Sequence, residues 1–153
     1  MKKPILIPLF ATTVVLLGGC QDSSTTNKDS TAMEQKVEQA QWVGTYQGTT
    51  PCMGCISRCQ DCPGMAVDLT LNQDMTYTLR RESLSGHNDI ETLTGVMRFH
   101  NAEQTQLELV SVATRNLMML DIEHQLLEIR EDVTGNAYVA ADDFLLEQPT
   151  QSS

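Results

Sequence analysis

The stretch AVDLTLNQDMTYTLRR, Ala66 to Arg81, decides the fold. Val67, Leu69 and Leu71 alternate with Asp68, Thr70 and Asn72. Met75, Tyr77 and Leu79 then alternate with Thr76, Thr78 and Arg80. Successive side chains of a strand point to opposite faces, so this period of two predicts two half-buried strands. The link Asn72-Gln73-Asp74 carries turn side chains, which makes the pair a hairpin.

The same pattern continues outward in both directions. WVGTYQG (42–48), TLTGVMRFH (92–100), TQLELVSV (105–112), RNLMMLD (115–121), QLLEIRE (125–131) and DFLLEQ (143–148) all read as strands. They recur at roughly 8–12-residue spacing, with turn residues such as SGHND, HNAEQ and TGN between them. No sustained period of 3.6 follows residue 42, and no internal repeat is present. The expected fold is all-β and antiparallel, and closure into a small barrel would remove its exposed edges.

The N-terminus has a different character. Lys2 and Lys3 precede an apolar run from Ile5 to Leu17, which ends in LLGGC. The run has the length of an export signal and falls short of the roughly 20 apolar residues of a membrane-spanning helix. It resembles a bacterial lipoprotein signal, which implies cleavage before Cys20 and addition of acyl chains, palmitate among them, to that cysteine. Such chains hold a protein to a bilayer. Gln21 is not the aspartate associated with inner-membrane retention, so the expectation is an outer-membrane anchor facing the periplasm. Residues 20–41 are almost wholly polar and make a flexible tether. The expected division is a signal at 1–19, lipidated cysteine and tether at 20–41, barrel at 42–147 and loose tail at 148–153.

The formal net charge is −10, and loss of Lys2 and Lys3 would make it more negative by two. Such a surface repels nucleic acid and anionic lipid, so neither is an expected partner. The membrane is reached through the lipid anchor alone.

Several motifs resemble the N-terminal domain of the NlpE family of envelope lipoproteins. WVGTYQGTTPCMGC supplies Trp42, Gly44, Tyr46, Gly48, Pro51, Cys52 and Cys55 of a W-x-G-x-Y-x-G-x-x-P-C-x-x-C opening. Gly64, Leu69, Leu71, Asp74 and Tyr77 fit its continuation, followed by TGVMRFH, LELV and LLEIRED. The resemblance implies a lipocalin-like barrel and a role in copper tolerance or envelope-stress signalling through a sensor kinase of the Cpx type. One departure stands out. The segment ISRCQDCP intervenes before Gly64 and adds Cys59 and Cys62. Larger relatives also carry an OB-like domain, for which residues up to Ser153 show no pattern.

The loop PCMGCISRCQDCPGM therefore holds four cysteines, Cys52, Cys55, Cys59 and Cys62. In an oxidising compartment they can form two disulfides. Three pairings exist, of which the nested one, Cys52–Cys62 with Cys55–Cys59, suits a compact loop. Reduced, they are soft ligands for copper(I) first and zinc second. Met53 and Met65 are additional candidate donors. The three-residue gap is far shorter than in a zinc ribbon. A reversible thiol sensor is a further reading, since strained C-x-x-C bridges reduce easily. The spacing of CISRCQDC also matches an iron–sulfur motif, but that chemistry calls for a longer α/β chain.

Nothing else asks for catalysis. His87, His100 and His124 fall in or beside turns, and no nucleophile-base set, phosphate loop or H-E-x-x-H is present. Met75 and Met97 read as packing, and Met118 and Met119 as one inward and one outward residue. The expected function is non-enzymatic, with the cysteine loop as metal or thiol sensor. The alternative is a ligand-binding or interaction barrel in which two disulfides are only staples.

Overall fold

The computed structural model describes residues 39–86 and 89–149. The signal, Cys20, most of the tether, His87 and residues 150–153 lie outside the described residues. Eight strands follow one another: β1 (Gly44–Thr50), β2 (Met65–Leu71), β3 (Thr76–Ser83), β4 (Ile90–Phe99), β5 (Gln106–Leu109), β6 (Leu117–Asp121), β7 (Leu126–Glu131) and β8 (Leu145–Glu147). Each pairs antiparallel with its sequence neighbour, and β8 returns to β1, so the sheet closes into a barrel. All eight expected strands are present, several of them shorter. Arg115 and Asn116 belong to the turn before β6 rather than to the strand.

The hairpin that decided the fold has the expected alternation. Met65, Val67, Leu69 and Leu71 of β2 are buried, as are Tyr77, Leu79 and Arg81 of β3. Leu69 pairs with Leu79, and Leu71 with Tyr77. In the link, Asp74 accepts bonds from the Thr76 amide at 3.1 Å and from its hydroxyl at 2.6 Å. Met75 takes a left-handed φ of 64° there.

The interior is a packed core. Tyr46, Leu69, Leu71, Leu79, Leu107, Leu109, Leu127, Ile129, Phe144 and Leu146 are each no more than 2% exposed. An eight-stranded barrel is just wide enough for side chains to fill it. Met97 is buried among them, Met118 points inward, and Met119 lies outside. Met75 packs against the core from its rim.

The two ends of the barrel differ. At one end Trp42 packs edge-on against Phe99, with centroids 5.4 Å apart, and donates its indole N–H to Gln104. The Tyr46 hydroxyl donates to the Trp42 carbonyl there. At the other end the four connections β1–β2, β3–β4, β5–β6 and β7–β8 form the mouth. Closure depends on a narrow seam, because β1 and β8 share the single register pair Gln47↔Glu147. At Gly48 an added Cβ would sit 2.4 Å from the Leu145 carbonyl oxygen and 2.9 Å from Leu146. Only a residue without a Cβ allows the strands this approach. Gly48→Ala should therefore destabilise the barrel by about 1–3 kcal/mol, read as a lower urea midpoint. Unchanged stability would mean that the seam can widen freely.

Candidate functional site

The cysteine loop caps the mouth between β1 and β2. Its two ends are fixed by the ladder pair Thr50↔Met65. Gly64 takes φ +90°, and a Cβ there would lie 2.6 Å from the Thr50 carbonyl oxygen, so glycine is required at the loop's return. Within the loop each C-x-x-C forms its own turn. The Cys55 amide donates to the Cys52 carbonyl at 3.0 Å, and the Cys62 amide to that of Cys59 at 3.4 Å.

Arg115 holds the first half of this loop. Its guanidinium donates to Thr50 Oγ1 (3.1 Å), the Pro51 carbonyl (2.8 Å), the Cys52 carbonyl (2.8 Å) and the Cys55 carbonyl (3.0 Å). The residue is 2% exposed. The cation sits 5.0 Å from the Phe144 ring centre and 5.5 Å from that of Tyr138. A left-handed φ of 57° at Arg115 aims the side chain into the mouth. Burial pushes its pKa down, while Tyr138 and a charge on Cys55 act in the opposite sense. Arginine remains charged even so.

The cysteines divide into a pair and two single thiols. Cys52 and Cys62 form a disulfide, with Cα atoms 6.6 Å apart. Cys55, half-buried, and Cys59, exposed, are free. The outer half of the nested pairing is thus formed. A four-thiolate cage is not available while that bridge stands. Among the described residues, no three His, Cys, Asp or Glu side chains come together to hold a metal ion. Met53 is exposed on the loop, whereas Met65 begins β2 on its inward row and is 8% exposed. The barrel's alternation has taken the Met65 thioether into packing.

The second half of the loop has fewer ties. Arg58 donates from its amide (2.8 Å) and its Nε (3.1 Å) to Asp143, and from Nη2 to the Thr49 carbonyl (2.6 Å). Asp143 lies on a short 3-10 turn, Ala141–Asp143. Residues 56–61 are otherwise exposed.

Behind Arg115 stands a second polar knot. Asp132 accepts from Thr134 (amide and hydroxyl), Asn136 (amide and side chain) and the Tyr138 hydroxyl. Burial pushes its carboxyl up, but these donors outweigh burial and hold it well below the usual carboxylate range. His100 and Arg98 both bond Glu108 on the outer face, beside a hollow of about 650 Å³ that also reaches Met119 and Arg130. His124 pairs with Asp121 in the β6–β7 turn, and that carboxylate raises its pKa. Neither described histidine faces the cysteine loop.

The NlpE N-terminal domain profile matches residues 46–134. The chain belongs to this family. No curated protein matches it. Among solved structures, a candidate lipoprotein from Shewanella oneidensis is similar, with 22% identity and a TM-score of 0.43. That similarity covers 74% of this chain and 97% of the other. The W-x-G-x-Y stretch forms the end of the barrel around Trp42 and Tyr46, and P-C-x-x-C forms the half-loop that Arg115 grips.

Sequence reasoning missed Arg115 and Asp132. An arginine at the start of an expected strand reads as solvated, and an Asp beside a turn reads the same way. Asp-x-Thr-Gly-Asn does carry a signal, because Asp at such a position caps its own turn.

Two outcomes follow for the mouth. Arg115→Leu removes four hydrogen bonds that hold the loop and should cost about 2–4 kcal/mol, with faster amide exchange at residues 52–56. Protection unchanged there would show that the loop holds itself. For Asp132 the pKa is depressed in the fold, so its stabilisation is complete above the ordinary value of 3.8 and is lost as pH falls below it. Asp132→Asn should lower the melting temperature at pH 7, and the two curves should converge in acid. Parallel curves down to the lowest pH would refute this.

Proposed function

We propose that the chain is an envelope lipoprotein, anchored through Cys20 to the outer membrane and facing the periplasm, whose cysteine loop reports copper or thiol stress. The observation that carries the reading is the loop itself: one bridge, two unbridged thiols and a buried cation holding half of it to the barrel mouth. A loop meant only as a staple has no use for two unpaired thiols. Membership of the NlpE family supports the same reading.

Cys55 and Cys59, with Met53, are the residues that would hold a metal. Thiolate and thioether donors suit copper(I). Zinc, which takes four ligands in structural sites, fits this donor set poorly while Cys52 and Cys62 are bridged. The role is not enzymatic, and the partner that would read the loop is an envelope sensor kinase of the Cpx type. The packed interior favours recognition on the outside over a ligand held within the barrel.

Thiol counting on the Cys20→Ser chain, exported and unreduced, tests the reading. We expect two alkylatable thiols per chain, Cys55 and Cys59 in the bridged form seen here, and one copper(I) per chain that is lost in Cys55→Ser and Cys59→Ser. A chain with no alkylatable thiol and no copper adduct would overturn it and leave a stapled interaction barrel.

A further inference from the structure

The two halves of the cysteine loop are held very differently, and the bridge joins them. Thr50 to Cys55 is fixed by four bonds from the buried Arg115. Ile56 to Asp61 is exposed, and beyond the Cys59–Cys62 turn its ties are those of Arg58. Cys52 belongs to the fixed half and Cys62 to the loose half. Cys55, a free thiol, shares a hydrogen-bonded turn with Cys52.

We propose that this loop is an internal thiol–disulfide exchange relay, in which Cys55 attacks Cys52 of the Cys52–Cys62 bridge and Arg115 is the positioning residue. This rests on the reading of the loop as the working site and adds how that site changes state. The Cys55 thiolate forms a bond to Cys52 Sγ, and the Cys52–Cys62 bond breaks. Cys62 leaves as the thiolate and takes up the proton that Cys55 released. One disulfide is present before and one after, so no oxidant or reductant is consumed. Exchange of this kind needs a thiolate with access to the sulfur it attacks.

The geometry favours Cys55 over Cys59 as the attacking group. Arg115 donates to the carbonyls of both Cys52 and Cys55, so one rigid cation sets the turn that carries attacker and target. Cys55 is half-buried beside it. Cys59 has no such support and is exposed. The two forms also present different chemistry. In the bridged form the unpaired thiols are Cys55 and Cys59, in separate turns. In the exchanged form they are Cys59 and Cys62, which share the second C-x-x-C turn. That pair is an exposed dithiol suited to a soft metal ion or to the disulfide of another protein. Loss of the bridge frees the weakly tied half of the loop, while the half that Arg115 grips stays in place.

The experiment uses the Cys20→Ser chain without metal or reductant, so that its failure is separate from failure of copper binding. The chain is incubated near pH 8, quenched with acid, alkylated and mapped by mass spectrometry. Two isomers are expected, Cys52–Cys62 and Cys52–Cys55, with Cys62 alkylated only in the second. Cys55→Ser should abolish alkylation of Cys62, and Cys59→Ser should leave it. Arg115→Met should slow the approach to equilibrium by roughly tenfold, and Arg115→Lys, which can still donate to the carbonyls, should restore part of the rate. Any one of three results would overturn the relay: a single Cys52–Cys62 species under all conditions, exchange abolished by Cys59→Ser but not by Cys55→Ser, or a second bridge in every molecule. If Arg115→Met fails to fold, the two cysteine variants decide the matter.

Discussion

A buried guanidinium satisfied by backbone oxygens organises the mouth of this barrel. Burying a charge is costly unless it is compensated by hydrogen bonds or partners. Arg115 receives that compensation from one hydroxyl and three carbonyls of the cysteine loop, and from the faces of Tyr138 and Phe144. No carboxylate touches it in these contacts. Asp132 acts only indirectly: it accepts from the hydroxyl of Tyr138, whose ring lies against the cation. The arrangement works in both directions. The loop needs a donor for carbonyls that face the barrel, and the arginine needs acceptors that remain in place.

How much of this was legible in the sequence depends on whether a periodic pattern carried it. Val67, Leu69, Leu71, Tyr77 and Leu79 repeat at two, so their strands and inward faces could be read directly. The same alternation places Arg81 inward, and it is 5% exposed, bonding Glu91 and the Thr114 carbonyl. That charge could have been found by extending the pattern by one step. Arg115 could not. It sits at a left-handed turn, where alternation has no meaning, and its hydrogen-bond partners lie sixty or more residues away in the chain. The four cysteines were conspicuous in the sequence, but three pairings remained open because spacing fixes no distance. The fold supplied the missing distance by bringing Cys52 and Cys62 to the two ends of one short excursion.

That excursion combines a covalent bridge with two thiols left unpaired. A closed loop of this size contributes about 2–3 kcal/mol through its bridge. The barrel has little need of this contribution, because its core is filled and its ladder closes on itself. Stability and chemistry are therefore separated. The loop can change its thiol state without dissolving the sheet, since the Thr50↔Met65 pair and Gly64 hold its two ends.

The same arginine accounts for the short pairing between β4 and β5. β5 pairs with β4 only along Met97–Phe99, and a last backbone bond joins the Val110 amide to the Val96 carbonyl. Beyond it the chain leaves the sheet, turns through Ser111 and Arg115, both at positive φ, and enters the mouth. Ile90 to Gly95 are left paired with β3 alone among the described strands. The barrel closes as expected, and this stretch of β4 keeps a short unpaired edge for a physical reason. If β5 continued beside β4, residues 111–116 would be strand, and Arg115 would not reach the loop. Barrel closure and the arginine clamp compete for the same seven residues, Val110 to Asn116. The fold gives these residues to the clamp. The unpaired edge is then blunted by the exposed charge of Glu91, held by the buried Arg81, since charge on an edge discourages edge-to-edge pairing.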